Sequence, residues 1–468
     1  MANEVYKKFM SESAKMAADT ARQEILYGKI NRYNAAVKQA KSQFVNLDLA
    51  RNRAAYLKNK ALGDLEKVLV EFEVNFEKNG GRIVWAQDAA DAIGEITEIV
   101  KKYEAGYVVK SKSSVLEEIE LSRHLSELGV ETIETGMGEF IMQQAGEQPS
   151  HMVNSAMHKS GEEVAALFNA KFGLPATATS DQITAYIRKQ LRNKFFNAKI
   201  GITGANFLVA DSGSVGLTEN EGNILMSTAF PEVHIVVAGI EKVIPSIRNL
   251  DVFWPLLATY GSGQKTAVYN SLISGPRQEG ETDGPKEMVV ILLDNNRTAV
   301  LAQTIQRRAL ACIRCGACLN ASPVYRTIGG HAYGTTYTGP IGAVITPWMK
   351  GLNEYKHLSF ASTICGSGTS VCPVKINLHD LLLHNRNDSV KQGMYSTFDG
   401  FSMFVWKKLL LNRNWMDKGS AGFKNMMLKK AYGGLWGKKR ILPEVAEDSF
   451  KQLWEERREG IIRKKKKK

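Results

Sequence analysis

The sequence predicts a three-layer α/β domain that lies between N-terminal helices and a small α-helical module rich in cysteine. Three observations predict this: a helical pattern before residue 80, an alternation of apolar runs with helical stretches up to about residue 295, and five cysteines that all fall between Cys312 and Cys372. With 468 residues, the chain is long enough for two or three domains with their own cores. The predicted regions are 1–79, 80–295, 296–390 and 391–468.

The composition is that of an ordinary globular protein, with 44% apolar and 23% charged residues. No apolar run approaches the length of about 18 residues that a membrane-spanning helix needs, so none is predicted. The first ten residues, MANEVYKKFM, lack the apolar core of a secretion signal. We therefore expect a cytoplasmic protein whose thiols are reduced, which favours metal binding or catalysis over disulfides.

The net charge of +13 is concentrated at one end of the chain. Residues 391–468 contain 20 Lys and Arg against 8 Asp and Glu, so the preceding residues are close to neutral. A neutral body predicts no nucleic-acid partner. Within the tail, basic residues stand beside Trp and Phe over 401–415 and 429–440, a composition suited to peripheral contact with an anionic membrane or a partner protein. The alternative is a solvated charged helix.

Each element before the cysteines follows from local periodicity. Helices are predicted over 1–79 because apolar residues recur at intervals of three and four, and Gly80-Gly81 ends this pattern. Short apolar runs predict the strands, and the helical stretches between them, such as 115–128, favour a partly parallel sheet. The predicted strands are 81–86, 106–111, 130–135, several glycine-bent pieces of 199–219, and the buried runs 233–244 and 287–294.

The first cysteine group has the spacing of a bacterial ferredoxin. Cys312, Cys315 and Cys318 follow the C-x2-C-x2-C pattern, and Ser322-Pro323 occupies the place of the fourth cysteine and its proline. Three thiolates on one tight loop can occupy three corners of a cubane, which predicts an iron–sulfur cluster. Four thiolates also suit tetrahedral zinc, but this double spacing with a remote Cys-Pro is more typical of iron–sulfur sites.

The second group contains Cys365 and ends in Cys372-Pro373. In ferredoxins with two clusters, the fourth cysteine of each motif binds the other motif's cluster, so Cys372 completes the first set of ligands. The second site would draw on Cys365 and on positions 368 and 322, which are glycine and serine here. We therefore expect one [4Fe–4S] cluster, with the second cluster absent or labile.

The segments around the cysteines carry weaker predictions. Helices are expected over 296–312 and 377–393, with a Gly/Thr/Tyr-rich loop over 329–347 between them. In this loop, His331 could donate a hydrogen bond to a cluster sulfide or serve as an ordinary loop residue. The pair Glu219 and Glu221 is interpreted as part of a polar turn rather than as acid–base machinery. No catalytic residue can be assigned.

Two stretches around the cysteines are similar to the lactate utilization protein B family. They are CIRCGACLNASPVYRTIGGHAYGTTYTGPIGAVITP at 312–347 and STICGSGTSVCPVKINLHDLLLHNR at 362–386. The sequence GITGANFLVADSGSVGLTENEGN at 201–223, together with 139–158 and 231–245, resembles the LUD domain of that family. The resemblance covers nearly the whole chain from about residue 20 to the aromatic tail.

This resemblance implies an α/β fold like that of sugar-phosphate isomerases and CoA transferases, joined to a ferredoxin-like helical module. It implies an iron–sulfur component of a three-protein system that oxidises L-lactate to pyruvate, so companion lactate-utilization subunits are the expected partners. It implies ligand roles at Cys312, Cys315, Cys318 and Cys372 for one cluster and at Cys365 for the other.

The chain departs from the family pattern at two ligand positions, because the family has cysteine where Ser322 and Gly368 stand here. We expect an electron-transfer subunit of an oxidoreductase complex rather than a stand-alone enzyme. One alternative is a non-redox structural or assembly subunit of the same system. Another is an enzyme whose LUD domain binds a phosphorylated or CoA-type ligand.

Overall fold

The computed structural model describes residues 4–412, 418–436 and 441–466. The chain forms two compact units, Met1–Gln392 and Gly393–Lys468. The first unit contains the N-terminal helices, the β-sheets and all five cysteines, and the second contains the basic tail. Within the described residues, no helix is both long enough and apolar enough to cross a bilayer.

Four helices form the N-terminal region, as the periodicity predicts. They are α1 (Glu4–Ala18), α2 (Thr20–Ala40), α3 (Leu47–Gly63) and α4 (Leu65–Lys78). Asp19 caps α2, because its side chain accepts a hydrogen bond of 2.9 Å from the amide of Arg22. The last of these helices is amphipathic and buries Phe72 and Phe76 completely.

Ten strands follow. They are β1 (Arg82–Ala86), β2 (Tyr107–Lys110), β3 (Glu131–Glu134), β4 (Ile200–Thr203), β5 (Phe207–Val209), β6 (Ser214–Glu219), β7 (Val233–Gly239), β8 (Val243–Ile244), β9 (Tyr269–Ile273) and β10 (Glu287–Leu293). Six of them form a sheet in the order β1-β10-β7-β4-β2-β3, in which every neighbouring pair is parallel. The α/β class is confirmed, and the main sheet is wholly rather than partly parallel.

Eight helices belong to this domain. They are α5 (Ala89–Lys102), α6 (Ser114–Glu118), α7 (Leu121–Glu127), α8 (Met137–Ala145), α9 (Gly161–Phe172), α10 (Ser180–Phe196), α11 (Asn223–Ala229) and α12 (Leu250–Ser262). Helices α5, α6 and α7 share a core with one face of the parallel sheet. The other face packs against α4 and a second sheet in the order β8-β5-β6-β9. These layers bury the sheet on both faces, as its continuous apolar strands require.

Two predicted elements are interrupted in the structure. The run 233–244 was expected as one strand, but it divides into β7, a 3-10 turn at Ile240–Lys242 and β8 in the other sheet. A polar Glu-Lys pair occupies this turn, and the carboxylate of Glu241 is drawn into a buried ion pair. The helix predicted over 115–128 breaks at Glu120, which adopts a left-handed backbone with φ +52°.

The cysteine module is helical, with more helices than predicted. They are α13 (Arg297–Ala302), α14 (Ala317–Ala321), α15 (Pro323–Ile328), α16 (Gly339–Lys350), α17 (Leu352–Phe360), α18 (Ser367–Ser370) and α19 (Leu378–Lys391). The helix predicted over 296–312 is only α13 followed by a 3-10 segment, Gln306–Ala311. The loop predicted over 329–347 is wrong in its second half, because α16 is almost wholly buried and packing overrides its Gly and Pro content.

The second unit contains α20 (Thr397–Leu411), α21 (Ala421–Trp436) and α22 (Phe450–Lys466). No residue of α20 is buried, and Phe398 and Phe401 are 62% and 68% exposed. Peripheral membrane contact through this tail stays a prediction.

Candidate metal centre and adjoining cavity

The first cysteine group forms a tight loop because two of its residues adopt a left-handed backbone. Arg314 has φ +61° and Gly316 has φ +75°, a region that glycine tolerates far better than arginine does. Cys312 follows a 3-10 segment, and Cys318 lies in the first turn of α14. A non-glycine residue with this backbone is strained and persists only where its surroundings hold it in place.

Four of the five cysteines line one cavity. They are Cys312, Cys315, Cys318 and Cys372. The amide of Arg314 donates a hydrogen bond of 3.4 Å to Sγ of Cys312, and the amide of Ile376 donates one of 3.3 Å to Sγ of Cys372. Amide donors of this kind stabilise the sulfur charge of iron–sulfur clusters. The four residues that the spacing groups together are thus close in space.

The separation of the sulfurs distinguishes a cluster from a single zinc ion. Among the described residues, no three potential metal-binding atoms that include a cysteine sulfur lie within 4.8 Å of one another. Around one tetrahedral zinc with Zn–S bonds of about 2.3 Å, the sulfurs would lie about 3.8 Å apart. A cubane holds its thiolates farther apart, so the donor set and its spacing fit a four-iron cluster better.

Burial makes these thiols costly to ionise without a metal. It raises the pKa of Cys372 to about 11, and the neighbouring Cys312 adds to the rise. Burial and the same neighbour also raise the pKa values of Cys315 and Cys318. A cation in the cavity would offset both effects, so metal binding is coupled to loss of the thiol protons.

An N-terminal helix supports the second cysteine group. The guanidinium of Arg51, on α3, donates hydrogen bonds of 3.1 and 2.8 Å to the carbonyl oxygen of Cys372 and one of 2.8 Å to that of Ser370. Because a guanidinium presents its donors in a rigid fork, this contact fixes the backbone on which Cys372 stands.

A buried ion network joins the α/β domain to the cysteine module. Arg297, at the start of α13, pairs with Glu118 at 2.8 Å and with Glu241 at 2.6 Å, and all three side chains are 1% exposed. Arg314 pairs with Glu241 at 3.3 Å and lies over the ring of Tyr337. A side chain at Gly239 would collide with this network, which explains glycine at the end of β7.

A cavity of about 290 Å³ lies between the parallel sheet and the first cysteine loop. The segments that line it follow the carboxyl ends of β2, β4 and β7, the usual position of ligand sites in such sheets. Lys242 and Arg314 both line this cavity. Nη1 of Arg314 is buried without a hydrogen-bond partner, and the ammonium of Lys242 has no hydrogen bond or ion pair among the described residues.

The acidic pair and the loop histidine have structural partners. Glu219 accepts hydrogen bonds of 2.7 and 2.8 Å from amides at the start of α11, and Glu221 accepts one of 2.8 Å from the amide of Met137. Burial raises the pKa values of both carboxyls. His331 bonds to the backbone of Gln148.

Known protein families match the same two regions. Residues 69–293 match the LUD domain, and residues 308–376 match the 4Fe-4S dicluster domain. Lactate utilization protein B of Shouchella clausii is 41% identical over 365 residues, which are 78% of this chain and 77% of that protein. The chain belongs to the lactate utilization protein B family.

Other members of the lactate utilization protein B family give similar values. The protein of Lysinibacillus sphaericus is 43% identical over 72% of this chain and 71% of its own length. The protein of Bacillus cereus is 42% identical over 76% of this chain and 74% of its own. A crystal structure of a duf162 family protein from Deinococcus radiodurans covers 49% of this chain and 98% of its own, with 12% identity and a TM-score of 0.28.

The three remaining positions of the predicted cluster motifs line a second cavity. Ser322, Cys365 and Gly368 all contribute to it. Ile364 and Gly366 have φ of +53° and +76°, so the backbone around Cys365 repeats that around Cys315. The thiol of Cys365 is exposed, and hydrogen bonding to Ser367 lowers its pKa. This second loop keeps the shape of the first while offering one thiol.

Sequence reasoning missed the buried ion network that reaches the first cysteine loop through Arg314. Glu118, Glu241 and Arg297 lie far apart in the chain, and no spacing rule brings them together. The best signal for this network in the sequence was Arg314, between Cys312 and Cys315. A charged residue beside buried ligands needs a partner of opposite charge.

Proposed function

We propose that this chain is the iron–sulfur electron-transfer component of an L-lactate oxidation system, with one [4Fe–4S] cluster bound by four cysteines. These are Cys312, Cys315, Cys318 and Cys372. The observation that carries the proposal is the single cavity lined by these four thiols. Membership of the lactate utilization protein B family supports the metabolic role, and companion subunits would supply and accept the electrons.

The cluster, when bound, would accept and release one electron at a time. The chain contributes the thiolates and the amides of Arg314 and Ile376, whose hydrogen bonds to sulfur favour the reduced, more negative state. The apolar surroundings of Cys315 exclude water and limit loss of iron. The exposed second loop around Cys365 lies outside this set of ligands.

The first prediction concerns iron content. Anaerobically reconstituted protein should contain about four irons and four sulfides per chain and give the electron paramagnetic resonance signal of a reduced [4Fe–4S] cluster. Cys318→Ala leaves three thiolates and should lower the iron content to about three or less per chain, with loss of the [4Fe–4S] signal. Cys365→Ala is the matched control, since it removes the cysteine of the other site and should leave the iron content unchanged. About eight tightly bound irons in the wild-type chain would contradict the single-cluster proposal.

We also propose, as a second candidate function, that the LUD cavity binds a small anion. The observation that favours this is the convergence of Lys242 and Arg314, each with an unpaired donor, on one cavity. Its volume of about 290 Å³ is at the lower end of ordinary ligand pockets. A carboxylate or a small phosphorylated compound would therefore fit better than an entire CoA molecule.

The second prediction tests this site with L-lactate, pyruvate and inorganic phosphate. At least one of them should raise the midpoint of thermal unfolding, since a ligand bound to the folded state stabilises it. Lys242→Gln should weaken that affinity by about tenfold or more, which corresponds to about 1.4 kcal/mol of lost binding free energy. Lys189→Gln, an exposed lysine on α10, is the control. Equal stabilisation of wild type and Lys242→Gln would rule out this anion site.

A further inference from the structure

Three potential metal ligands meet where the α/β domain contacts the cysteine module. Glu147 and His158 belong to the segment between α8 and α9, and His331 begins a 3-10 turn between the two cysteine groups. One carboxylate oxygen and one nitrogen of each ring lie within 4.8 Å of one another. The two imidazole rings are 4.6 Å apart, centre to centre, and nearly perpendicular. These contacts bring together two nitrogen donors and one oxygen donor, outside both cysteine cavities.

Hydrogen bonding determines which nitrogen of His331 is free. Its Nε2 lies 2.6 Å from the carbonyl oxygen of Gln148. A carbonyl oxygen can only accept a hydrogen bond, so Nε2 carries the proton and Nδ1 of the neutral ring keeps a lone pair. A backbone carbonyl that holds the far N–H of an imidazole is the usual outer partner of a metal-binding histidine.

His158 has a hydrogen-bond partner on each ring nitrogen. The hydroxyl of Ser150 lies 2.8 Å from Nδ1 of His158 and can donate to it. Nε2 of His158 lies 2.8 Å from Oε2 of Glu147. A carboxylate oxygen only accepts, so Nε2 carries the proton when no metal is bound, and a metal ion that binds both atoms would displace that proton.

We propose that Glu147, His158 and His331 form a site for a divalent transition metal, Zn²⁺ in the first instance, that ties the segment between the cysteine groups to the LUD domain. Two imidazoles and one carboxylate form a well-known zinc-binding set, with further positions left for water. Lys159 pairs with the other carboxylate oxygen, Oε1, at 2.5 Å, so Oε2 remains available to the metal. His158 is buried, whereas Glu147 and His331 are exposed, which gives the ion a route from solvent.

The third prediction is a difference in zinc content. Protein loaded anaerobically with its cluster, so that the cysteines are occupied, is dialysed against Zn²⁺ and analysed for both zinc and iron. The wild-type chain should retain about one more zinc than His331→Gln or Glu147→Gln. His384→Gln, a partly exposed histidine on α19, is the control and should retain the wild-type amount. X-ray absorption at the zinc edge should show nitrogen and oxygen neighbours.

Two results would overturn the proposal. One is equal zinc in the wild-type chain and both ligand variants, and the other is a sulfur shell around the zinc that the variants fail to remove. Iron content reports on the cluster separately, because neither variant removes a cysteine. A chain that lacks iron but shows the zinc difference would therefore contradict the proposed electron-transfer role and support the zinc site.

Discussion

Replacing Arg297 by methionine should lower the free energy of unfolding by about 3–5 kcal/mol, the cost of removing one partner from a buried ion pair. The guanidinium makes a two-pronged contact with Glu118, at 2.9 and 2.8 Å, and a further bond of 2.6 Å with Glu241. Methionine fills similar volume, so the loss arises from two carboxylates that stay buried without their main counter-charge. Urea unfolding followed by circular dichroism measures this difference.

The effect should depend on pH in a definite direction. Burial by itself would raise the pKa of Glu241, but Arg297 and Arg314 together lower it to about 2. Burial would also raise the pKa of Glu118, and Arg297 lowers it. These depressed pKa values stabilise the wild-type chain above the ordinary carboxyl pKa of about 4.5, and the contribution is lost as the pH falls towards about 2. Without Arg297, burial would raise the pKa of Glu118, so this carboxyl would be protonated at mildly acidic pH. Protonation removes the buried, unpaired charge that destabilises the variant. The difference between the two proteins should therefore shrink on acidification.

A surface arginine provides the matched control. Arg82 is 44% exposed and pairs with Glu95 at 2.6 Å, so Arg82→Met should change stability by about 1 kcal/mol or less. If Arg297→Met behaves like Arg82→Met, or if its effect does not diminish at low pH, the buried network does not join the two regions in the way described.

Periodicity predicted most of this fold because its signals are local. The strands β2 and β10 fall inside the predicted runs 106–111 and 287–294, since a sheet buried on both faces requires continuous apolar residues. The break after β7 was not predictable in the same way. Its cause is the ion pair between Glu241 and a residue 56 positions later, Arg297. Interactions at such separation leave no mark in local hydropathy.

The same distinction between local and long-range interactions applies to the candidate site. Spacing alone grouped the cysteines that share a cavity, because a ferredoxin loop is defined by short intervals. The role of Ser322 was not visible in that pattern. Its hydroxyl accepts a hydrogen bond of 3.3 Å from the amide of Tyr325 and caps α15, so serine has a structural use at this position. The Glu147–His158–His331 cluster likewise depends on how two separate loops pack.

Introducing cysteine at both positions 322 and 368 should roughly double the iron content. In the variant that combines Ser322→Cys with Gly368→Cys, the two new thiolates and that of Cys365 would line the second cavity, three in all. Iron should therefore rise from about four to about seven or eight per chain. The backbone permits the change, because a Cβ at position 368 would meet Leu378 and Pro340 at 3.4 Å, an ordinary contact. The serine is replaced by a side chain of nearly the same shape, at the expense of a weaker cap on α15.

Two kinds of control isolate the thiolates. Each single variant leaves only two cysteines at the second site, so its iron content should stay at about four, since two thiolates cannot hold a cubane. Ser322→Ala combined with Gly368→Ala changes both positions without adding sulfur and should also stay at about four. If the double cysteine variant folds with the wild-type unfolding midpoint yet gains no iron, positions 322, 365 and 368 do not form a cluster site. If it gains iron, its electron paramagnetic resonance signal should be split by magnetic coupling between the two reduced clusters, because α14 and α18, which carry Cys318 and position 368, are in contact.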